Sequence, residues 1–198
     1  IRGFYYTVYN LGWVIAPFIS GEILENLGFD VLFATVIVLI LPIMLIFITK
    51  FKATKNHYQK KKFRLTELLK ELAKHPNIKR IFYLAFLLQF FYGVMVIYTP
   101  IYLNQVIGLA WSQIGLIFSI MLIPFVLLEF PAGYLADKYW GEKEILTAGV
   151  IITTLAALGI YIFEINSVLF WALLLFFSRI GASLIEIMRD TYFFKKVD

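Results

Sequence analysis

Arg179 and Glu186 stand seven residues apart in a largely apolar stretch of this sequence. On a helix that spacing is about two turns, so both side chains fall on nearly one face, with Ser183 between them. A guanidinium and a carboxylate in apolar surroundings can grip a charged solute, exchange a proton or form a structural pair. Arg189 and Asp190 follow on the same stretch, and Glu129 lies in an earlier one. Glu129 and Arg189 read best as a buried ion pair that latches two helix ends. Arg179 sits deeper and reads as a cavity residue. In a third stretch Gln89, Tyr92 and Gly93 share one polar face.

Other chemistries are excluded more firmly. There is no cysteine, so disulfides, thiolate metal sites and cysteine nucleophiles are absent. His57 and His75 both fall in a polar segment, where solvation is a plainer reading than a zinc site. Neither a Gly-x-Ser-x-Gly nor a His-Glu-x-x-His pattern occurs. No catalytic constellation, no metal site and no cofactor is expected, and an enzyme is not.

The elements that must position these residues follow from hydropathy. Of 198 residues 61% are hydrophobic and only 16% charged, against roughly a quarter charged in ordinary globular proteins. One soluble core of this size could not hide that much apolar surface, so lipid is the expected solvent. Crossing the hydrocarbon takes about 20 apolar helical residues. Six stretches qualify, at about 4–24, 31–50, 79–103, 112–135, 145–163 and 167–191. Their apolar runs are continuous, whereas barrel strands would alternate. The expected fold is an all-α integral membrane bundle of six transmembrane helices. Arg179 lies about twelve residues into the sixth, roughly 18 Å along its axis and near the bilayer centre. Ionisable groups at that depth are costly and functional by default.

Charge orients the spans. The connections 25–30, 104–111 and 164–166 contain no Lys or Arg. Arg2, the 50–80 segment, Lys138 with Lys143, and Lys195 with Lys196 occupy the alternate side. The positive-inside rule places that side in the cytoplasm, with the plasma membrane as the expected location. Residues 50–80 hold eleven of the eighteen Lys and Arg. Set between spans, these charges point to anionic lipid headgroups rather than nucleic acid. Within the segment, Lys60-Lys61-Lys62-Phe63-Arg64 precedes Leu65, Leu68, Leu69 and Leu72 at helical spacing. An amphipathic helix on the headgroups and a solvated linker are both open, and compatible. His75-Pro76 is expected to end that helix.

Two motifs go beyond generic spans. In the first span Gly12, Ala16, Ser20 and Gly21 recur at about four-residue spacing, a face that lets helices approach closely. Pro17 within it is expected to kink the helix. At the end of the fourth span, Gly133, Asp137, Lys138, Gly141 and Lys143 mark a very short charged turn. There Asp137 can approach a neighbouring helix N-terminus, where the macrodipole favours an anion.

This turn resembles the signature loop of the major facilitator superfamily: Gly, three residues, Asp, a basic residue, then Gly and further basic residues. It carries one residue more between Lys138 and Gly141 than that pattern. The Gly12, Pro17 and Gly21 run is similar to the family's fifth-helix motif, associated with antiporters, with Ala16 and Ser20 where the family has glycine. The stretch from Leu175 to Ser183 resembles a fourth-helix pattern in which an Arg is linked to proton coupling. On this register the spans resemble helices five to ten of twelve, and a longer parent is expected. Residues 1–50 would then close the first half, 51–78 form the cytoplasmic inter-half loop with its amphipathic helix, and 79–198 open the second half.

The resemblance implies secondary active transport of a small solute by alternating access, coupled to protons, with efflux favoured. To the intramembrane Arg179 and Glu186 it adds Gln89, Tyr92, Asn10 and Trp13 as candidates for substrate binding or coupling, because the helices that carry these four line the family's central cavity. Intramembrane carboxylates suit proton coupling, since leaving water favours the neutral form. The competing class is a non-transporting membrane sensor or assembly subunit on the same scaffold. It predicts that changes at Arg179, Glu186 or Gln89 alter assembly or signalling rather than flux.

Overall fold

A computed structural model describes the backbone of residues 2–50, 75–138 and 141–197, and the side chains of 9–50, 75–128 and 141–192. The described residues form five helices: α1 (Arg2–Lys50), α2 (Pro76–Gln105), α3 (Trp111–Lys138), α4 (Glu142–Ile162) and α5 (Val168–Val197). All five are long and apolar enough to cross a membrane. The architecture is therefore all-α. The expected spans at 79–103, 112–135, 145–163 and 167–191 correspond to α2 to α5. The polybasic run and the leucines at 65–72 lie outside the described residues. Pro76 opens α2, at a position where its missing N–H costs nothing.

The first two expected spans fall in one element. At 49 residues α1 would extend about 74 Å, more than twice the hydrocarbon thickness. Its only non-helical backbone is at Gly28, with φ 81° and ψ 178°, where two helical stretches meet at a kink. Backbone angles stay helical through Pro17. Beyond the Gly28 kink Phe33, Ile37, Leu45 and Ile48 are all more than half exposed, as suits side chains that face lipid. A Cβ at Gly28 would meet nothing within 4 Å, so the constraint there is purely the backbone. Gly28→Val is expected to cost about 1–3 kcal/mol through strain alone, read as a lowered melting temperature of the purified protein.

Helix packing follows the small residues. Stretches of α1 before the kink lie on α3, α3 lies on α5, and α5 on α4, with α2 contacting α5 and α3. Between α1 and α3, a Cβ on Gly21 would reach 2.6 Å from the Trp111 carbonyl and 2.9 Å from the Gly115 Cα. Only glycine allows that approach. Between α4 and α5, Gly149 and Gly181 face each other in the same way. The main core joins α2, α3 and α5 around the fully buried Trp171, packed with Leu103, Ile117 and Leu175.

At that end of the bundle the connections are tied down. Trp171 donates its indole N–H to the Ile165 carbonyl at 2.7 Å. Asn104 donates to the Leu109 carbonyl at 2.9 Å and Asn166 to the Ile107 carbonyl at 3.0 Å. Gly108, at φ 79°, supplies the left-handed turn between them. The first turn of α3 has no acidic residue of its own. Its Trp111 N–H instead donates to the Glu25 carboxylate of α1 at 2.8 Å, which satisfies an orphan donor and complements the helix dipole.

Candidate functional site

Charged and polar side chains converge between α2 and α5. Arg179 comes from the middle of α5 and is 3% exposed. Its guanidinium carbon sits 5.0 Å from the centroid of the Tyr92 ring, a cation–π contact from α2. The same tyrosine donates its hydroxyl to the Glu186 Oε2 at 3.0 Å. Tyr92 thus bridges two residues that lie about 10 Å apart along the axis of α5. It acts as a wedge between a cation and an anion that share one helix face. Phe125 of α3 packs edge-on against the Tyr92 ring at 6.1 Å, fixing the ring from a third side. Apolar packing of Leu88 against Ala182 and Ile185 holds α2 against α5 at this level.

Below the wedge, Glu186 also faces Arg189. The Arg189 Nη2 is 4.0 Å from the Glu186 Oε1. The same guanidinium is committed to Asp190, with Nη2 at 2.7 Å and Nε at 2.8 Å from Oδ1. The expected Glu129–Arg189 latch rests on a side chain outside the described residues. The described partners of Arg189 are Asp190 and Glu186.

Arg179 itself is incompletely paired. Among the described residues its Nε and Nη2 are buried without a hydrogen-bond partner. Each buried donor left unmade costs about 1–3 kcal/mol, and a group retained at that cost calls for a function. The hydroxyls of Ser119 on α3 and Ser178 on α5 are also buried without a described partner. Ser183 instead donates back to the Ile180 carbonyl at 2.9 Å.

The expected site residues therefore divide. Tyr92, Arg179, Glu186 and Arg189 form one connected cluster. Gln89 is exposed on α2, one turn before Tyr92. Asn10 is half-buried and Trp13 is 55% exposed, both on α1, which packs on α3 rather than on α2 or α5. The small face of α1 also divides. Pro17 and Gly21 meet Gly115, whereas a Cβ on Gly12 would meet nothing within 4 Å. Of the signature turn, the backbone stays helical through Lys138 and Gly141 caps α4 in extended conformation. Lys143 lies exposed in the first turn of α4. The side chains of Gly133 to Lys138, Asp137 included, lie outside the described residues.

Sequence reasoning missed Glu25, Phe125 and the glycine partners Gly115, Gly149 and Gly181. Glycines inside apolar stretches were the available signal for close crossings. Nothing local could mark Glu25, whose partner lies 86 residues away.

Comparison with known proteins agrees with this picture. The sequence matches the Major Facilitator Superfamily over residues 2–197. No curated protein and no solved structure matches the chain significantly. With a match across nearly its whole length, and five helices among the described residues long and apolar enough to cross a membrane, the chain belongs to the major facilitator superfamily, a family of multi-pass membrane transporters.

Proposed function

We propose that this transporter moves a small solute across the plasma membrane by alternating access, driven by the proton gradient, with export the favoured direction. The observation that carries this reading is the Arg179–Tyr92–Glu186 cluster, a cation and an acid kept apart by one tyrosine inside the bundle. Glu186 is the proton-exchanging group. In its charged form it accepts from Tyr92 and faces Arg189. Taking up a proton removes that charge, weakens both contacts and frees Tyr92 to swing away from Arg179. One protonation event is thereby linked to rearrangement at the residue best placed to hold solute.

In this reading α1 supplies two spans that part at Gly28, within the polar 25–30 connection, and the chain contributes six spans in all. Residues 1–50 belong to the first half and 79–198 to the second. Segment 51–78 joins them on the cytoplasmic side, its basic residues against anionic headgroups. Rocking of the halves must open and close the α1–α3 seam at Gly21 and Gly115. Gln89, exposed beside Tyr92, lines the path.

The absence of cysteine among these residues makes a direct test practical. In a Gln89→Cys variant of the full-length protein, an impermeant thiol reagent is expected to label from either face of oriented vesicles. An imposed proton gradient should shift the ratio of the two rates. Labelling from one face only, insensitive to the gradient, would sink alternating access at this position.

A further inference from the structure

Arg179 presents its two unused donors in a particular geometry. The guanidinium is planar and permanently charged, with its donors in a rigid fork. Nε and Nη2 lie on the same edge of that plane, so their N–H bonds point outward side by side. This edge matches the two oxygens of a carboxylate in a bidentate pair. The face of the guanidinium is already used, since the Tyr92 ring lies 5.0 Å from its central carbon. The carboxylate that shares its helix face, Glu186, is tied to the Tyr92 hydroxyl and faces Arg189. A charged group 3% exposed, with one whole edge unmatched among the described residues, is among the most costly arrangements in a protein interior.

We propose that the unmatched Nε/Nη2 edge of Arg179 is the substrate-binding element, and that the solute this transporter carries is an organic carboxylate. This rests on the transport reading above and names the substrate class of the same site. Tyr92 lies against the guanidinium and Phe125 packs edge-on against the Tyr92 ring, and the two offer aromatic surface to an apolar body behind the carboxylate. The edge is buried in this arrangement, so the anion must enter as the surrounding helices part.

The test is equilibrium binding to the purified full-length protein, which needs no flux. The probes are acetate, lactate and benzoate, each against its own amide. At least one carboxylate is expected to bind with its amide inert. Arg179→Lys keeps the charge but loses the fork, and should weaken that binding about tenfold. Arg179→Gln should weaken it about thirtyfold or more. Should Arg179→Gln fail to fold, Arg179→Lys carries the test alone. Glu164→Gln, an exposed carboxylate in the connection between α4 and α5, should leave carboxylate binding in place. If Glu164→Gln removes it as fully as Arg179→Gln, the loss is not specific to Arg179 and the proposal fails. It fails equally if no carboxylate outcompetes its amide, or if Arg179→Lys binds like the wild type. The two readings also separate. Gradient-driven flux of an amine or sugar that ignores Arg179→Lys would retain transport and overturn the anion site. Arg179-dependent carboxylate binding without any gradient-driven flux would do the reverse.

Discussion

Replacing Gly181 with leucine is expected to leave little folded protein. Gly181 is where α5 crosses α4, and its neighbours there are backbone atoms and the short side chain of Thr153. A Cβ would fall 2.6 Å from the Gly149 carbonyl oxygen and 2.8 Å from the Thr153 amide nitrogen, and would also collide with the Thr153 hydroxyl. The reciprocal position is as tight, with a Cβ on Gly149 2.8 Å from the Gly181 carbonyl oxygen. Relief therefore requires the two helices to separate. Overpacking of this kind costs about 3 kcal/mol or more, a large share of the roughly 5–15 kcal/mol that holds a domain together. The displacement would also move Arg179, two residues away on α5. Size-exclusion profiles of detergent-extracted protein after a temperature series provide the check. A monodisperse variant melting with the wild type would show that the crossing is looser than described.

Glu186→Gln is expected to abolish gradient-driven movement of solute while leaving downhill exchange. Glutamine keeps the size of the side chain and can still accept from the Tyr92 hydroxyl, but it cannot gain or lose a proton. The charge that faces Arg189 is lost permanently. The protein would then behave as if always protonated at this position, able to rearrange but unable to draw on the gradient. Tyr92→Phe is a milder companion. It removes one hydrogen bond to a charged group, worth about 1.5–3 kcal/mol, and should reduce driven flux roughly tenfold. Proteoliposomes with and without an imposed proton gradient distinguish these outcomes. A Glu186→Gln variant that still concentrates solute against its gradient would remove Glu186 from the coupling role.

Much of the fold was legible because lipid imposes a simple rule. A helix that must satisfy its own backbone and face hydrocarbon shows as a continuous apolar run, so α2 to α5 fell close to their expected bounds. Gly28 was legible as part of a polar connection, but not as a single-residue kink inside one long helix. The connection is short, and its turn-forming residues Asn26, Gly28 and Asp30 do not say which of them interrupts the helix. The site was legible as residue types rather than as contacts. Depth in a span marked Arg179 and Glu186 as costly. Tyr92 stood out with Gln89 and Gly93 as one polar face on an apolar helix. That Tyr92 would reach across 94 residues of sequence to hold Glu186 depends on how α2 leans on α5. That lean is set by Leu88, Ala182 and Ile185, ordinary apolar residues with no distinguishing local pattern. The partners Gly149 and Gly181 were hidden for the same reason, since a glycine in a span signals close packing without naming its neighbour.

Solute movement through this member of the family is expected to couple to protons at the α2–α5 cluster. The most direct measurement is flux of radiolabelled solutes, carboxylates, amines and sugars among them, in proteoliposomes of the full-length protein. Each is followed with a proton gradient imposed and again after a protonophore collapses it. At least one solute should move faster with the gradient, lose that acceleration on collapse, and lose it equally in Glu186→Gln. Flux of no solute, with no response to the gradient, would contradict the account and favour a non-transporting role for the same scaffold.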